Sequence, residues 1–188
     1  GRLMPTVPSA ADAVSHIKSG MNVFVHGSAA TPLPLLEALA GRTDLEDVRL
    51  YHLHTEGTSA HVAAACAGRL TSVSFFAGSA ARPAIQEGRA EFIPVFLSDI
   101  PALFTRKVIP LDAAIVQLSP ADRHGAHTLG TSIDAARAAV DSAPLIIAEI
   151  NARAPRTHGH TSVPASRIDF AFHTDRPLAA GHAPDADT

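Results

Sequence analysis

Residues 144–160 read "PLIIAEINARAPRTHGH". The run 144–150 is almost continuously apolar, which is typical of a strand that is buried on both faces rather than on one. The next ten residues hold an amide, two arginines, a proline, a glycine and two histidines. A simple turn needs fewer residues of these types. The stretch therefore predicts a buried strand that leads directly into a loop with a functional role.

The same succession of strand, polar loop and helix recurs along the chain. Apolar and β-branched runs predict strands at 22–26, 48–54, 70–76, 90–96, 113–119 and 145–150. Apolar residues at helical spacing predict helices at 9–20, 32–42, 59–68, 79–89, 98–107 and 131–143. Because strands and helices alternate, the sequence predicts an α/β fold, with an open, mostly parallel sheet and helices on both faces.

Composition narrows the classes of function. The 188 residues suit one domain, and a hydrophobic content of 46% supplies a core. A net charge of −3 gives no basic patch, so we expect neither nucleic acid nor a membrane surface as partner. No apolar run approaches the roughly 20 residues of a membrane span. The start lacks an apolar signal core, and Cys66 is the only cysteine, so we expect a cytoplasmic location.

The last part of the chain differs in composition from the rest. After "RIDFAFH" (167–173), the segment 174–188 is rich in Pro, Ala and Asp and shows no periodicity. Such a composition predicts a linker or tail rather than a packed element. We therefore expect one α/β domain over 1–173, followed by a linker or tail over 174–188.

Ligands of parallel α/β sheets bind beyond the carboxyl ends of the strands. In "HGSAATP" (26–32), small residues between a strand and a helix let backbone N–H groups approach an anion or a carbonyl oxygen. The loop is neither a Walker loop nor a G-x-G-x-x-G dinucleotide loop. The alternative is a plain turn with Thr31 as helix cap and Pro32 at the first helical position.

Two further loops carry side chains suited to binding. In "SPADRHG" (119–125), Asp122 can accept backbone N–H bonds, His124 can donate a hydrogen bond, and Gly125 permits a φ that other residues resist. In "NARAPRT" (151–157), Arg156 offers a fork of donors that suits a carboxylate. That carboxylate belongs either to a substrate acid or to a bracing side chain, such as Asp122 or Glu149. The alternative role of both loops is to brace each other and a partner domain.

Glu149 raises the question of a catalytic nucleophile, and the histidines raise the question of a metal site. Glu149 ends the last apolar strand and is either a nucleophile or, as we expect, a buried carboxylate paired with Arg156 or with backbone donors. Histidines recur at short spacing, at 52 and 54, 124 and 127, and 158 and 160. The sequence has neither a Cys/His zinc pattern nor an H-E-x-x-H helix, so we expect hydrogen-bonded and surface histidines and no metal.

Four segments together carry a resemblance to a known family. They are "HGSAATPLPLLEAL", "GRAEFIPVFLSDIPALF", "QLSPADRHGAHTLG" and "IIAEINARAPRTHG", in that order. From about residue 9 to 170 the chain resembles the N-terminal domain of the acetyl-CoA hydrolase/transferase family, which includes 4-hydroxybutyrate and butyrate:acetate CoA-transferases. Two departures are Ala154, where the family has methionine, and Gly27-Ser28-Ala29, where it often has GSG.

The resemblance implies one half of a larger enzyme with two similar α/β halves. A glutamate in the C-terminal half would attack the acyl-CoA, so no catalytic residue is expected in this chain. The implied activity moves CoA between a short-chain acyl-CoA and a free carboxylic acid, with acyl-CoA hydrolysis or a non-catalytic interaction module as alternatives. CoA is then a substrate rather than a tightly bound cofactor. The implied protein partners are the C-terminal domain and a second copy in a homodimer.

The resemblance and the loop chemistry together give a set of residues expected to line the acyl site. They are Gly27, Ser28, Ala29, Ser119, Pro120, Asp122, His124, Gly125, Asn151, Pro155, Arg156 and Thr157.

Overall fold

A computed structural model describes residues 4–27, 30–53, 68–75, 90–129, 134–157 and 161–178. The helix expected at 79–89 lies outside these residues, as does nearly all of the helix expected at 59–68. The described ranges contain the strands β1 (Asn22–Val25), β2 (Val48–His52), β3 (Leu70–Ser74), β4 (Ala90–Phe92), β5 (Ala113–Leu118), β6 (Ala126–Thr128), β7 (Leu145–Asn151), β8 (Ser162–Pro164) and β9 (Phe170–Thr174).

Seven of these strands form one sheet in the order β4-β3-β2-β1-β5-β7-β9, and every neighbouring pair is parallel. The fold class expected from the sequence is thereby confirmed. The remaining two strands, β6 and β8, pair antiparallel as a separate two-stranded ribbon. The sequence analysis did not predict this ribbon, because strands of three residues are too short to show a period.

The helices within the described ranges are α1 (Ala10–Val14), α2 (Leu33–Ala40), α3 (Ile100–Thr105) and α4 (Asp134–Ser142). Single 3-10 turns cover Leu97–Asp99 and Ala165–Arg167. Ser9 caps α1 as expected, its Oγ accepting from the Asp12 N–H at 3.1 Å, but the helix ends at Val14 rather than near Gly20. Among these helices none has the length and apolar character needed to cross a membrane.

The two faces of the sheet have separate cores, because side chains alternate along each strand. Val23 and Val25 of β1 face α1 and α2, and they pack with Leu35, Leu36 and Leu39 of α2. The intervening Phe24 lies in the other core, with α3 and α4. Helices therefore cover both faces, as the continuously apolar strands predicted.

The edge of the sheet beside β7 is formed by β9, a strand that the sequence analysis did not predict. β9 pairs parallel with β7 along five residues, and the N-terminal segment adds a bridge from Thr6 to Ala171. Arg176, two residues after β9, is also held in place by hydrogen bonds. The division at 173 stays a prediction, and the contacts of Arg176 are described next.

Candidate functional site

The strand order predicts the position of a ligand crevice at the carboxyl edge of the sheet. The chain runs outward from β1 to β4 and then returns to the other side of β1, where it forms β5. β1 and β5 are thus neighbours whose following loops diverge, which is the position where ligands of open parallel sheets bind. Gly27 follows β1 and is buried, and Ser119 follows β5 and is buried as well.

A buried ion pair lies at this edge on the face of α1 and α2. Glu149 is fully buried, and the Arg176 guanidinium holds it as a fork, with Nε to Oε2 at 2.6 Å and Nη2 to Oε1 at 2.8 Å. The Thr174 hydroxyl donates to the same Oε2 at 2.6 Å. Because both carboxylate oxygens accept bonds from charged or polar donors, the carboxylate is fixed and neutralised.

The ion pair continues into a chain of buried amides. Arg176 Nη2 also donates to the Thr31 carbonyl oxygen at 3.1 Å, and Gln117 Nε2 donates to the same oxygen at 3.3 Å. Asn151 Nδ2 donates to Gln117 Oε1 and to the Arg176 carbonyl oxygen, each at 3.0 Å. One network therefore joins the end of the loop after β1 to the ends of β5, β7 and β9.

Residues 119–128 form a tight hairpin on the opposite face of the sheet edge. The Ser119 hydroxyl oxygen accepts from the Thr128 backbone N–H at 2.9 Å and shares a hydrogen bond of 2.9 Å with the Thr128 hydroxyl. Gly125 has φ of +76°, so the expectation that this position needs left-handed backbone is confirmed. The hairpin is thus held by its own polar groups.

Asp122 organises the turn of this hairpin. Its Oδ1 accepts from the backbone N–H groups of His124 at 2.7 Å and Ala126 at 3.0 Å. These bonds, that to Ala126 above all, together with the Arg156 guanidinium, hold the pKa of the Asp122 carboxyl below its usual value. The structure therefore confirms that Asp122 fixes the loop through backbone N–H bonds.

The loop after β7 is linked to this hairpin. Arg156 Nη2 donates to Asp122 Oδ2 at 3.2 Å, and its Nη1 reaches the Pro120 carbonyl oxygen at 3.4 Å. The Thr157 backbone N–H donates to the Thr128 hydroxyl oxygen at 3.2 Å. Of the two carboxylates considered for Arg156, the structure selects Asp122. The expectation that Arg156 pairs with Glu149 is wrong, because Arg176 from the end of β9 occupies both oxygens of that carboxylate.

Other details also differ from expectation. Thr31 does not cap α2, which begins at Leu33 after Pro32 and has no side-chain cap. Among the described residues, the hydrogen bond of the His124 ring is one that it accepts, from Arg123 Nε to its Nε2 at 3.2 Å. Neither difference changes the position of these residues at the carboxyl edge.

The residues expected to line the acyl site fall into two groups at this edge. The hairpin and the loop after β7 are brought into contact, and they contain Ser119, Pro120, Asp122, His124, Gly125, Pro155, Arg156 and Thr157. Asn151 belongs instead to the buried network, Gly27 is buried directly after β1, and Ser28 and Ala29 are outside the described residues. Whether these groups contact a substrate stays a prediction.

No cluster of three or more metal-ligating side chains occurs in the part of the chain that the structure describes. His54, His158 and His160 lie outside that part. His127 is buried, and its Nδ1 is 2.7 Å from the Ser119 carbonyl oxygen.

The sequence analysis missed Gln117 and Arg176. Gln117 had a detectable signal, since it is the one polar residue within the otherwise apolar strand 113–118. Arg176 had no detectable signal, since the composition of residues 174–188 predicted a linker or tail.

Comparison with known proteins agrees with this geometry. The family described as "Acetyl-CoA hydrolase/transferase N-terminal domain" matches residues 5–180. The chain is 41% identical to a succinyl-CoA:acetate/propanoyl-CoA:succinate CoA transferase of Fasciola hepatica, over 89% of this chain and 35% of that protein. It is 31% identical to a 4-hydroxybutyrate coenzyme A transferase of Clostridium kluyveri, over 90% of this chain and 40% of that protein.

Solved structures also include longer proteins that contain this fold. RipA from Yersinia pestis superposes with a TM-score of 0.87 at 27% identity, over 97% of this chain and 45% of that one. The chain thus spans well under half the length of the proteins that it matches.

Proposed function

Since the chain belongs to the acetyl-CoA hydrolase/transferase N-terminal domain family, we propose that it is the N-terminal half of a CoA-transferase. The whole enzyme moves CoA between a short-chain acyl-CoA and a free carboxylic acid. The observation that carries this proposal is the match of residues 5–180 to that family, with relatives that are named CoA transferases. CoA and acyl-CoA then act as substrates, not as tightly bound cofactors.

The attacking carboxylate is proposed to lie outside this chain. Glu149 is the carboxylate best placed by sequence, but the Arg176 fork and the Thr174 hydroxyl engage both of its oxygens. A nucleophile needs an accessible oxygen with a free lone pair, and a fully buried, bidentate carboxylate offers none. The bonding of Glu149 therefore supports a structural role and a catalytic glutamate in a C-terminal half.

The crevice between the loops after β1 and β5 is the proposed acyl site. Gly27, Ser28 and Ala29 would approach the thioester through backbone groups, while the linked hairpin and the loop after β7 would shape its wall. The position of this crevice at the switch of strand order supports the assignment.

The domain is also proposed to associate with a C-terminal domain and with a second copy of itself in a homodimer. Exposed apolar side chains on the segment between β4 and β5 support such contacts, with Phe96 80% exposed and Leu97 and Val108 each 66% exposed. A cytoplasmic location is proposed because the chain has a single cysteine and therefore no internal disulfide.

The proposal is tested by an exchange assay with acetyl-CoA and a short-chain acid on two proteins. One is the 188-residue chain, and the other is the product of the whole reading frame that encodes it. We expect no turnover from the chain and transfer to the acid by the longer product. Turnover by the chain at about 1 s⁻¹ or more, an ordinary enzyme rate, would contradict the half-enzyme proposal and make Glu149 the nucleophile.

Two other results would redirect the proposal. If the longer product releases CoA equally fast with and without the acid, the enzyme is a hydrolase of the same family. If neither protein turns over acyl-CoA, the domain is an interaction module.

A further inference from the structure

A cavity of about 540 Å³ opens at the carboxyl ends of β7 and β9, on the face of α3 and α4. Its size lies within the range of small-molecule sites. Its walls are mainly apolar, and none of the described residues that line it is an Asp, Glu, Lys or Arg. The lining consists of Met4, Pro120, Ala121, His127, Ile150, Ala152, Ala165, His173 and Thr174.

The cavity lies on the opposite face of the sheet from Glu149, and it meets the buried network at Thr174. Side chains alternate along β7, so Ile150 faces the cavity while Glu149 and Asn151 face the opposite side of the sheet. Of the residues proposed to line the acyl site, Pro120 also borders this cavity.

His127 supplies a polar group to this apolar space. Only 2% of the residue is exposed, and Nδ1 lies 2.7 Å from the Ser119 carbonyl oxygen. A carbonyl oxygen can only accept, so Nδ1 must carry the hydrogen of this bond. In the neutral ring Nε2 is then an acceptor, and the hydrogen bond that the described residues make to this ring is the one at Nδ1.

The ligand must therefore match one imidazole nitrogen in an apolar pocket. A phosphate or a dicarboxylate would place a second charge against walls whose described residues include no Lys or Arg, which is costly. A single carboxyl group fits, because an acid and an imidazole share one proton in a charge-assisted hydrogen bond, which is stronger than a bond to a neutral hydroxyl. His173, exposed on β9 beside Ile150, adds a second imidazole at the cavity.

We propose that this cavity binds an apolar monocarboxylic acid, with the carboxyl group on His127 Nε2 and the hydrocarbon chain against Met4, Ile150 and Ala165. The cavity shares Pro120 and the hairpin of residues 119–128 with the walls of the proposed acyl site, but it is tested by binding to the 188-residue chain alone, so its failure would leave the proposed function untouched.

The experiment is an NMR titration of the 188-residue chain, which follows the ¹⁵N signals of the histidine rings. The probes share a six-carbon chain and differ in their ends: hexanoate, 1-hexanol and adipate. We expect saturable binding of hexanoate with a shift of the His127 Nε2 signal toward its protonated position. Hexanol and adipate should each bind at least about ten-fold more weakly, since one lacks the charge and the other adds a second.

Two substitutions separate the ring nitrogens of His127. In His127→Asn, the amide nitrogen takes the place of Nδ1 and keeps the Ser119 bond, while the group that faces the cavity is lost. In His127→Gln, the amide nitrogen lies near the position of Nε2 and can donate to a carboxylate. We expect His127→Asn to weaken hexanoate binding about ten-fold or more and His127→Gln to weaken it less. Circular dichroism verifies that each variant is folded.

Two further variants serve as controls for the His127 substitutions. His16→Asn makes the same chemical change outside the cavity and should leave binding unchanged. Ala165→Leu fills the cavity and should abolish binding of hexanoate even if a His127 variant fails to fold. The proposal is overturned if hexanoate does not bind, if hexanol or adipate binds equally well, or if Ala165→Leu or a folded His127→Asn variant binds like the wild type.

Discussion

Two of the arginine–carboxylate pairs at the carboxyl edge of the sheet differ in burial. In the pair on the α1 and α2 face, Glu149 is fully buried and the Arg176 side chain is 19% exposed. In the pair that links the two loops, Asp122 is 27% and Arg156 is 44% exposed. The first pair is bidentate with bonds of 2.6 and 2.8 Å, whereas the second has one bond of 3.2 Å.

This difference in burial indicates which pair stabilises the fold and which pair only positions the surface loops. A buried carboxylate cannot turn to water when its partner is removed, so its loss of pairing is expensive. A partly exposed carboxylate such as Asp122 is hydrated whether or not its arginine partner is present, and dissolved salt screens the attraction between the two charges. We therefore expect the Glu149–Arg176 pair to govern stability and the Asp122–Arg156 pair to govern the geometry of the loops.

The largest effect is expected from Arg176→Met. This change keeps much of the side-chain volume but leaves the Glu149 charge buried and unpaired. It should lower the free energy of unfolding by about 3–5 kcal/mol, measured by urea denaturation of the 188-residue chain. Glu149→Gln should cost less, because the partly exposed guanidinium of Arg176 can still reach water.

The neighbouring pair Arg153–Asp175 gives a matched control, with a bond of 2.9 Å between side chains that are both well exposed. Arg153→Met should change the free energy of unfolding by less than about 1 kcal/mol. Equal losses from Arg176→Met and Arg153→Met would show that burial does not distinguish the pairs.

A smaller effect on stability is expected from Arg156→Ala. The hairpin keeps the two backbone bonds to Asp122 and the Ser119–Thr128 bonds without Arg156, so the melting temperature should fall by less than about 3 °C. In the intact enzyme, a substrate role for Arg156 predicts that Arg156→Lys raises the KM for the acid, because lysine lacks the guanidinium fork. A bracing role predicts little change in that KM. A melting temperature that falls as far as for Arg176→Met would contradict the comparison.

The smallest effect concerns acid pH and Asp122. Its pKa is lowered from the usual 3.8 in the folded state, so its contribution to stability is complete above that value and is lost as pH falls through the lowered pKa. The difference in melting temperature between the wild type and Asp122→Asn should therefore be constant near neutral pH and shrink below about pH 4. A difference that stays constant down to pH 2 would show that the charge of Asp122 does not stabilise the hairpin.

The candidate site could be predicted only where its contacts are local. Asp122 and Gly125 were correctly interpreted because the bonds to His124 and Ala126 and the positive φ lie within five residues of one another. The link from Arg156 to Asp122 was one of two open alternatives, since both carboxylates follow neighbouring strands. The partner of Glu149 could not be found, because Arg176 lies in a segment whose composition resembles a linker.

The sequence by itself determined the α/β class, the parallel sheet and the gathering of polar loops at one edge, because the period of apolar residues is a local property that burial on both faces imposes. Tertiary structure alone decided which polar side chains meet. Arg176 reaches the carbonyl oxygen of Thr31 across 145 positions of the chain, and it does so only because β9 is added beside β7 and β5 beside β1. Strand order sets such contacts, and it depends on how whole elements pack rather than on any short stretch of residues.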